Sequence, residues 1–411
     1  MNLLVWACRT ICLSLCLLLA ATDFATGRAE AVQRIAATGL TDRLAPLVGP
    51  HDAVAVIAPD GWRVVSINAD RLLVPASILK TLTALAALHY LGKDYRYPTD
   101  FFIDPRNNLV IKGYGDPLLV SERIAEIAHH LAGQIAQIDS VVLDDTYFSH
   151  PITIPGRNST TQPYDAPNGA LCVNFNTVNF KREHGHWVSA EPQTPLLPLA
   201  IKKIKASGQK EGRITLADDR MEILQYSGEL FAHFLGNAGI TINKGVAIGT
   251  SENRKDKLLW RYTAPNPLQD VVAALLEFSN NFIANQLMLS MGAKVHGPPG
   301  TMEKGLRALQ AYYTSVLGIK TGHIAEASGL SRDNRISADA MLRILDHFQS
   351  YHQLMRREGR QWYKTGTLRG IHTRAGYLNC SDGECYRFVV MINTPGKRTD
   401  RIMRMIEQAL R

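Results

Sequence analysis

The stretch Pro75-Ala76-Ser77-Ile78-Leu79-Lys80-Thr81-Leu82-Thr83-Ala84-Leu85-Ala86-Ala87-Leu88-His89-Tyr90-Leu91 decides how the chain is organised. Beyond Ser77, apolar residues fall on nearly every face of a helix, interrupted by Lys80, Thr81, Thr83 and His89. A helix that is apolar all round belongs in the middle of a domain. Pro75 stands just before it and Gly92 just past it, positions both residue types favour. Ser77 and Lys80 are one turn apart and project from one face. A serine hydroxyl is a poor nucleophile until a base takes its proton, and a lysine can be that base only if burial or a nearby cation lowers its pKa. The apolar helix supplies the burial, and N–H groups at its start favour a developing anion.

Ser-x-x-Lys alone is weak, since about one or two matches arise by chance in a chain this long. The second match, Ser207 to Lys210, lies in a Gly- and Lys-rich stretch where the lysine stays hydrated, so Ser77 and Lys80 are the catalytic candidates. Ser-x-Asn occurs at Ser66, Ser251 and Ser279, and only Ser279-Asn280-Asn281 interrupts an apolar helical run, from Leu268 to Met291. Without the other motifs that break reads as a helix cap. With them, Ser279 offers a hydroxyl for proton transfer and Asn281 an amide that orients lysine and substrate. Lys-Thr-Gly occurs twice. Lys320-Thr321-Gly322 has loop-like surroundings and reads as a surface turn, whereas Lys364-Thr365-Gly366-Thr367 precedes apolar runs that suggest a sheet. There Gly366 admits close approach of substrate backbone, while Lys364 and the hydroxyls of Thr365 and Thr367 can hold a carboxylate.

The start of the chain addresses the compartment. Arg9 precedes an apolar run from Ile11 to Ala21, followed by the small residues Ala25 and Gly27. This reads as a signal peptide over residues 1–27, too short for a permanent span, and predicts a periplasmic protein without a transmembrane anchor after cleavage. Cys8, Cys12 and Cys16 fall in the leader, leaving Cys172, Cys380 and Cys385. Cys380 and Cys385 flank a hairpin-tip sequence and suit a disulfide, while Cys172 reads as a buried thiol. No spacing matches a metal site, and no cofactor is expected. The net charge of +8 suits polyanionic surroundings, but no nucleic-acid recognition motif occurs. The most basic stretch, Lys202 to Arg213, reads as a solvated face.

Working outward, Ala53–Ile57 and Arg63–Ile67 read as a hairpin around Pro59-Asp60-Gly61, and Tyr386–Asn393 as a strand before a terminal helix from about Thr399. That helix is expected to pack on the sheet rather than lie on lipid. Between Tyr95 and Pro265 short β-like runs such as Leu109–Lys112 and Val141–Leu143 alternate with Pro, Gly and Asn clusters.

These three motifs in this order are those of penicillin-binding proteins and class A β-lactamases. With Gly113-Tyr114-Gly115-Asp116-Pro117, Val142-Leu143-Asp144-Asp145, Asn174-Phe175-Asn176 and Ser328-Gly329-Leu330-Ser331-Arg332-Asp333-Asn334, the chain resembles the D-alanyl-D-alanine carboxypeptidase/endopeptidase family of penicillin-binding proteins, peptidase family S13. The 202 positions between Ser77 and Ser279 favour this family over class A β-lactamases, as does the lack of Glu-x-x-Leu-Asn between Asn281 and Lys364. Two departures stand out: the insertion is shorter than in many members, and Tyr114 replaces a glycine. The resemblance implies an α/β (α+β) fold with a discontinuous transpeptidase-like domain, an antiparallel sheet with helices, over residues 32–95 and 266–411. A mostly β insertion would span 96–265. It further implies an acyl-enzyme on Ser77, hydrogen bonds from Ser279 to Lys80 and Lys364, an oxyanion held by the N–H groups of Ser77 and Thr367, and peptidoglycan peptides and β-lactams as partners. The rival readings are a β-lactamase or esterase on the same fold, and a catalytically silent wall-binding protein.

Overall fold

The computed structural model describes residues 39–251, 255–381 and 384–410. The expected signal peptide lies outside them. At its centre is an antiparallel sheet of six strands in the order β11-β12-β13-β14-β1-β2: β11 (Arg356–Glu358), β12 (Gln361–Leu368), β13 (Ile371–Ser381), β14 (Glu384–Ile392), β1 (Asp52–Ile57) and β2 (Arg63–Ile67). Its strands thus come from both ends of the chain, joined where β1 pairs β14 from Asp52–Ile392 to Ile57–Arg387.

Both faces of this sheet are covered, which is why β1 and β14 read as nearly continuous apolar runs rather than alternating ones. Ala53, Ala55, Val389 and Met391 point into a large core built with the helices Lys80–Leu91, Leu268–Phe278, Asn281–His296 and Ala338–Phe348. Val54, Val56, Phe388, Val390 and Ile392 point the other way, onto Leu40 and Leu44 and onto Ile402, Met403, Ile406 and Leu410 at the end of the chain. The terminal helix Asp400–Ala409 therefore docks its apolar stripe on the sheet, as expected. Cys380 and Cys385 form a disulfide across the β13–β14 hairpin, and Cys172 is a buried thiol whose pKa is pushed up to about 12 by burial.

The segment between the Ser-x-x-Lys and Ser-x-Asn motifs carries two more sheets. One has the order β10-β3-β4-β5-β9, from β3 (Pro98–Ile103), β4 (Leu109–Gly113), β5 (Gln137–Asp144), β9 (Thr241–Ile248) and β10 (Lys257–Thr263). The other, β7-β6-β8, comprises β6 (Thr177–Glu183), β7 (His186–Ser189) and β8 (Gly212–Thr215). The segment is strand-rich but not mostly β, because β4–β5 and β5–β9 pair in parallel. Parallel neighbours need a crossover, here through the helices Ser121–Ala132 and Arg220–Asn237. Ile124, Ile127, Ala128 and Leu131 form the buried stripe of the first. The basic stretch from Lys202 is partly neutralised: Lys203 pairs with Asp218 and Glu222, and Arg213 with Glu191.

Candidate active site

The chain enters the site through a strained turn. Ala76 has φ +49°, and Ala76–Leu79 is a 3-10 turn that runs into the helix Lys80–Leu91, so Ser77 sits just ahead of the α-helix rather than inside it. Two glycines let other segments close on this turn. A Cβ on Gly366 of β12 would lie 2.6 Å from the Ser77 nitrogen, and one on Gly329 would lie 1.9 Å from the Ala76 carbonyl oxygen. The Thr373 hydroxyl of β13 donates to the Pro75 carbonyl at 2.7 Å, closing the clamp.

Lys80 is fully buried. Its Nζ lies 3.0 Å from Ser77 Oγ, 2.7 Å from Asn281 Oδ1 and 2.7 Å from the Ser328 carbonyl oxygen. The Asn281 amide is oriented by its Nδ2, which donates to the Tyr164 carbonyl at 3.2 Å. Two of the three partners are thus carbonyl oxygens that can only accept. In its neutral form the amine can give its two hydrogens to the carbonyls, which leaves the lone pair for the serine hydroxyl. Burial, then the charge of Lys364, lower the Lys80 pKa to about 7, against an opposing pull from Glu326. Lys364 is itself buried and lowered to about 8, mainly by desolvation, with Glu277 raising it and Arg356 lowering it.

Ser279 occupies the break foreseen in the helical run. It takes a left-handed conformation, φ +54° and ψ 36°, at the end of the helix Leu268–Phe278, and Asn280 caps the next helix by accepting from the Ile283 N–H at 3.1 Å. The cap thus falls on Asn280, while Ser279 and Asn281 on either side of it line the cleft. The expected hydrogen bonds from Ser279 to Lys80 and Lys364 are not made among the described residues. Lys364 Nζ donates to the Thr365 carbonyl at 3.0 Å instead, because strand alternation buries Lys364 while exposing Thr365.

The open cleft above these groups has a volume of about 980 Å³. Ser77, Ser279, Asn281 and Thr367 line it, while Lys80, Lys364 and Gly366 are buried and do not border it. Thr365 is exposed but does not border this cleft. Its far end is basic, with Arg332, Arg369 and His372 against Asp333. The segment from the insertion supplies Gly156, Asn158 and Tyr164 to the wall. Sequence reasoning missed Tyr164 and Glu326: one acts through a backbone carbonyl, which leaves no trace in residue type, and the other is a single carboxylate outside any spaced motif.

Known proteins resemble this chain over most of its length. The model of the D-Ala-D-Ala carboxypeptidase 3 (S13) family matches residues 47–218 and 203–358. The D-alanyl-D-alanine carboxypeptidase of Actinomadura sp. (strain R39) is 24% identical over 408 residues, covering 80% of this chain and 75% of its own length. The D-alanyl-D-alanine carboxypeptidase DacB of Haemophilus influenzae is 22% identical over 395 residues, with 79% and 81% covered. Among solved structures, penicillin binding protein 4 (dacB) from Haemophilus influenzae superposes with a TM-score of 0.72 at 19% identity, covering 91% of this chain and 98% of that one. A predatory peptidoglycan endopeptidase from Bdellovibrio bacteriovorus gives 0.51 at 17% identity, with 87% and 90% covered. The matched span takes in both the Ser77–Lys80 turn and the Ser279–Asn281 break, and the chain belongs to the D-Ala-D-Ala carboxypeptidase 3 (S13) family.

Proposed function

We propose that the protein is a serine-type D-Ala-D-Ala carboxypeptidase that hydrolyses peptidoglycan stem peptides through an acyl-enzyme on Ser77. The observation that carries this reading is the buried Lys80 Nζ, 2.7 Å from two carbonyl oxygens and 3.0 Å from Ser77 Oγ. Such an amine takes the serine proton as Ser77 attacks the carbonyl of the penultimate D-alanine. The negative charge that develops on the carbonyl oxygen would be met by the N–H groups of Ser77 and Thr367, a reading supported by the close approach of Gly366 of β12 to the Ser77 nitrogen. Protonated Lys80 then returns the proton toward the departing D-alanine amine, with the Ser279 hydroxyl in the cleft wall as relay. Lys364 contributes positive charge for the terminal carboxylate, and Thr367 a hydroxyl at the cleft surface. Water releases the acyl group by the reverse use of the same base.

In this reading residues 32–95 and 266–411 form the catalytic unit and 96–265 an accessory insertion, supported by a six-stranded sheet drawn wholly from the former. Residues 1–27 act as an export signal, and the protein works in the periplasm. No helix among the described residues is long and apolar enough to cross a membrane. β-Lactams acylate Ser77 as substrate mimics, since a strained amide presents the same carbonyl and carboxylate. Endopeptidase cleavage of cross-bridges uses the same attack, and the open cleft leaves room for the longer leaving group.

The test is to incubate the purified protein with a pentapeptide and with cross-linked muropeptide and identify the products by mass. Release of free D-alanine is expected from the first. Rapid turnover of penicillin without D-alanine release would favour the β-lactamase alternative, and inertness toward both substrates the silent wall-binding one.

A further inference from the structure

We infer that Glu326 is a positioning residue for the base: its carboxylate holds the turn that presents the Ser328 carbonyl to Lys80 and places a buried negative charge near that lysine. The inference rests on the Ser77–Lys80 acylation centre proposed above.

Glu326 is fully buried, and no cation lies within salt-bridge distance of it among the described residues. Its oxygens are instead ringed by donors. Oε2 accepts from the Ser328 N–H and the Ser328 hydroxyl, both at 2.6 Å, and from Asn285 Nδ2 at 3.3 Å. Oε1 accepts from Asn334 Nδ2 at 2.8 Å and from the Ser331 N–H at 3.3 Å. The two amides cannot turn round. Asn334 Oδ1 accepts from the Ala325 N–H at 2.8 Å, and Asn285 Oδ1 from the Ala327 N–H at 3.1 Å. Four N–H donors and one hydroxyl converge on this group, a set that suits an acceptor-only carboxylate.

The turn wrapped around this carboxylate does two things at the site. Its Ser328 carbonyl fixes one hydrogen of Lys80, and Gly329 lies under the Ala76 carbonyl of the nucleophile turn. Thr83 bolts the same turn to the lysine helix by donating to the Ala327 carbonyl at 2.6 Å. The charges that face Lys80 are Lys364 from β12 and Glu326 from this turn; Glu277 and Arg356 act on Lys364. The helix Asn281–His296 offers Lys80 the amide of Asn281, which does not titrate. Glu326 is thus the negative member of the buried group, opposing the push of Lys364 on the base.

The experiment compares the pH dependence of penicillin acylation in the full-length secreted protein, wild type against Glu326→Gln and Glu326→Asp, with active-site titration to count folded molecules. Removing the charge makes Lys80 easier to deprotonate, so Glu326→Gln is expected to move the acid limb to lower pH by about one unit, the order set by a unit charge at an effective dielectric near 20. Glu326→Asp keeps the charge but is one methylene short of the turn, so its limb stays in place while the rate falls about 10-fold. A uniformly lowered Glu326→Gln profile with an unmoved limb would overturn the electrostatic role. If Glu326→Gln is too unstable to assay, an Asp variant as fast as wild type would overturn the positioning role. Failure of the underlying acylation reading looks different, because wild type itself would then carry no adduct on Ser77.

Discussion

The tripeptide Lys-Thr-Gly occurs in two places, and the two copies live in different physical worlds. At Lys364-Thr365-Gly366 the chain is a strand, Lys364 is 3% exposed, and Gly366 abuts the nucleophile turn. At Lys320-Thr321-Gly322 all three residues are exposed in a loop, and the Thr321 carbonyl merely accepts from the Tyr313 hydroxyl at 2.7 Å. The same contrast separates Lys80, fully buried against Ser77, from Lys210 in an exposed stretch following Ser207. What distinguishes the two lysines of each pair is the environment that removes water from one of them, and that environment is a property of the sheet and helices rather than of the three letters.

The largest effect should come from the base. Lys80→Ala is expected to lower the rate of penicillin acylation by about 10² to 10⁴-fold, the usual range for losing a general base, while Lys210→Ala leaves it unchanged. Stopped-flow or gel-based labelling measures both. Next comes carboxylate recognition: Lys364→Ala should lower kcat/KM on a pentapeptide by about 10- to 100-fold, the value of a charge-assisted hydrogen bond, and Lys320→Ala should do nothing. Equal losses at the two positions would erase the distinction between the copies.

The pH profile sharpens it further. Lys80 must be neutral to accept a proton, so the rate rises as pH passes about 7. Lys364 must be charged to attract the carboxylate, so the rate falls as pH passes about 8. A narrow bell between those values is expected for kcat/KM. Lys364→Arg, which cannot lose its proton in this range, should retain the acid limb and lose the alkaline one. The smallest effect concerns the Ser279-Asn280-Asn281 break. Asn280→Ala removes a helix cap and should cost about 1 kcal/mol in a thermal or denaturant melt, while leaving the acylation limbs where they are.

Much of this was legible in the sequence because it was written in burial patterns. The all-round apolar helix after Ser77 and the apolar run of β14 lie in the core their patterns implied, and the polar break at Ser279 interrupts its helical run at the cleft wall. The parallel half of the insertion was less legible, since its crossover helices sit among Pro- and Gly-rich turns that favour a β interpretation. Individual side-chain contacts were least legible. That Lys364 turns to the Thr365 carbonyl, that Asn281 is steered by Tyr164, and that Glu326 gathers five donors depend on distances no spacing rule encodes.

The most direct test of the whole account is to label the protein with a fluorescent penicillin, digest it, and locate the adduct by mass. The adduct is expected on the peptide containing Ser77 and should vanish in Ser77→Ala. An adduct on Ser279 or Ser207, or labelling that persists at wild-type level in Ser77→Ala, would contradict it.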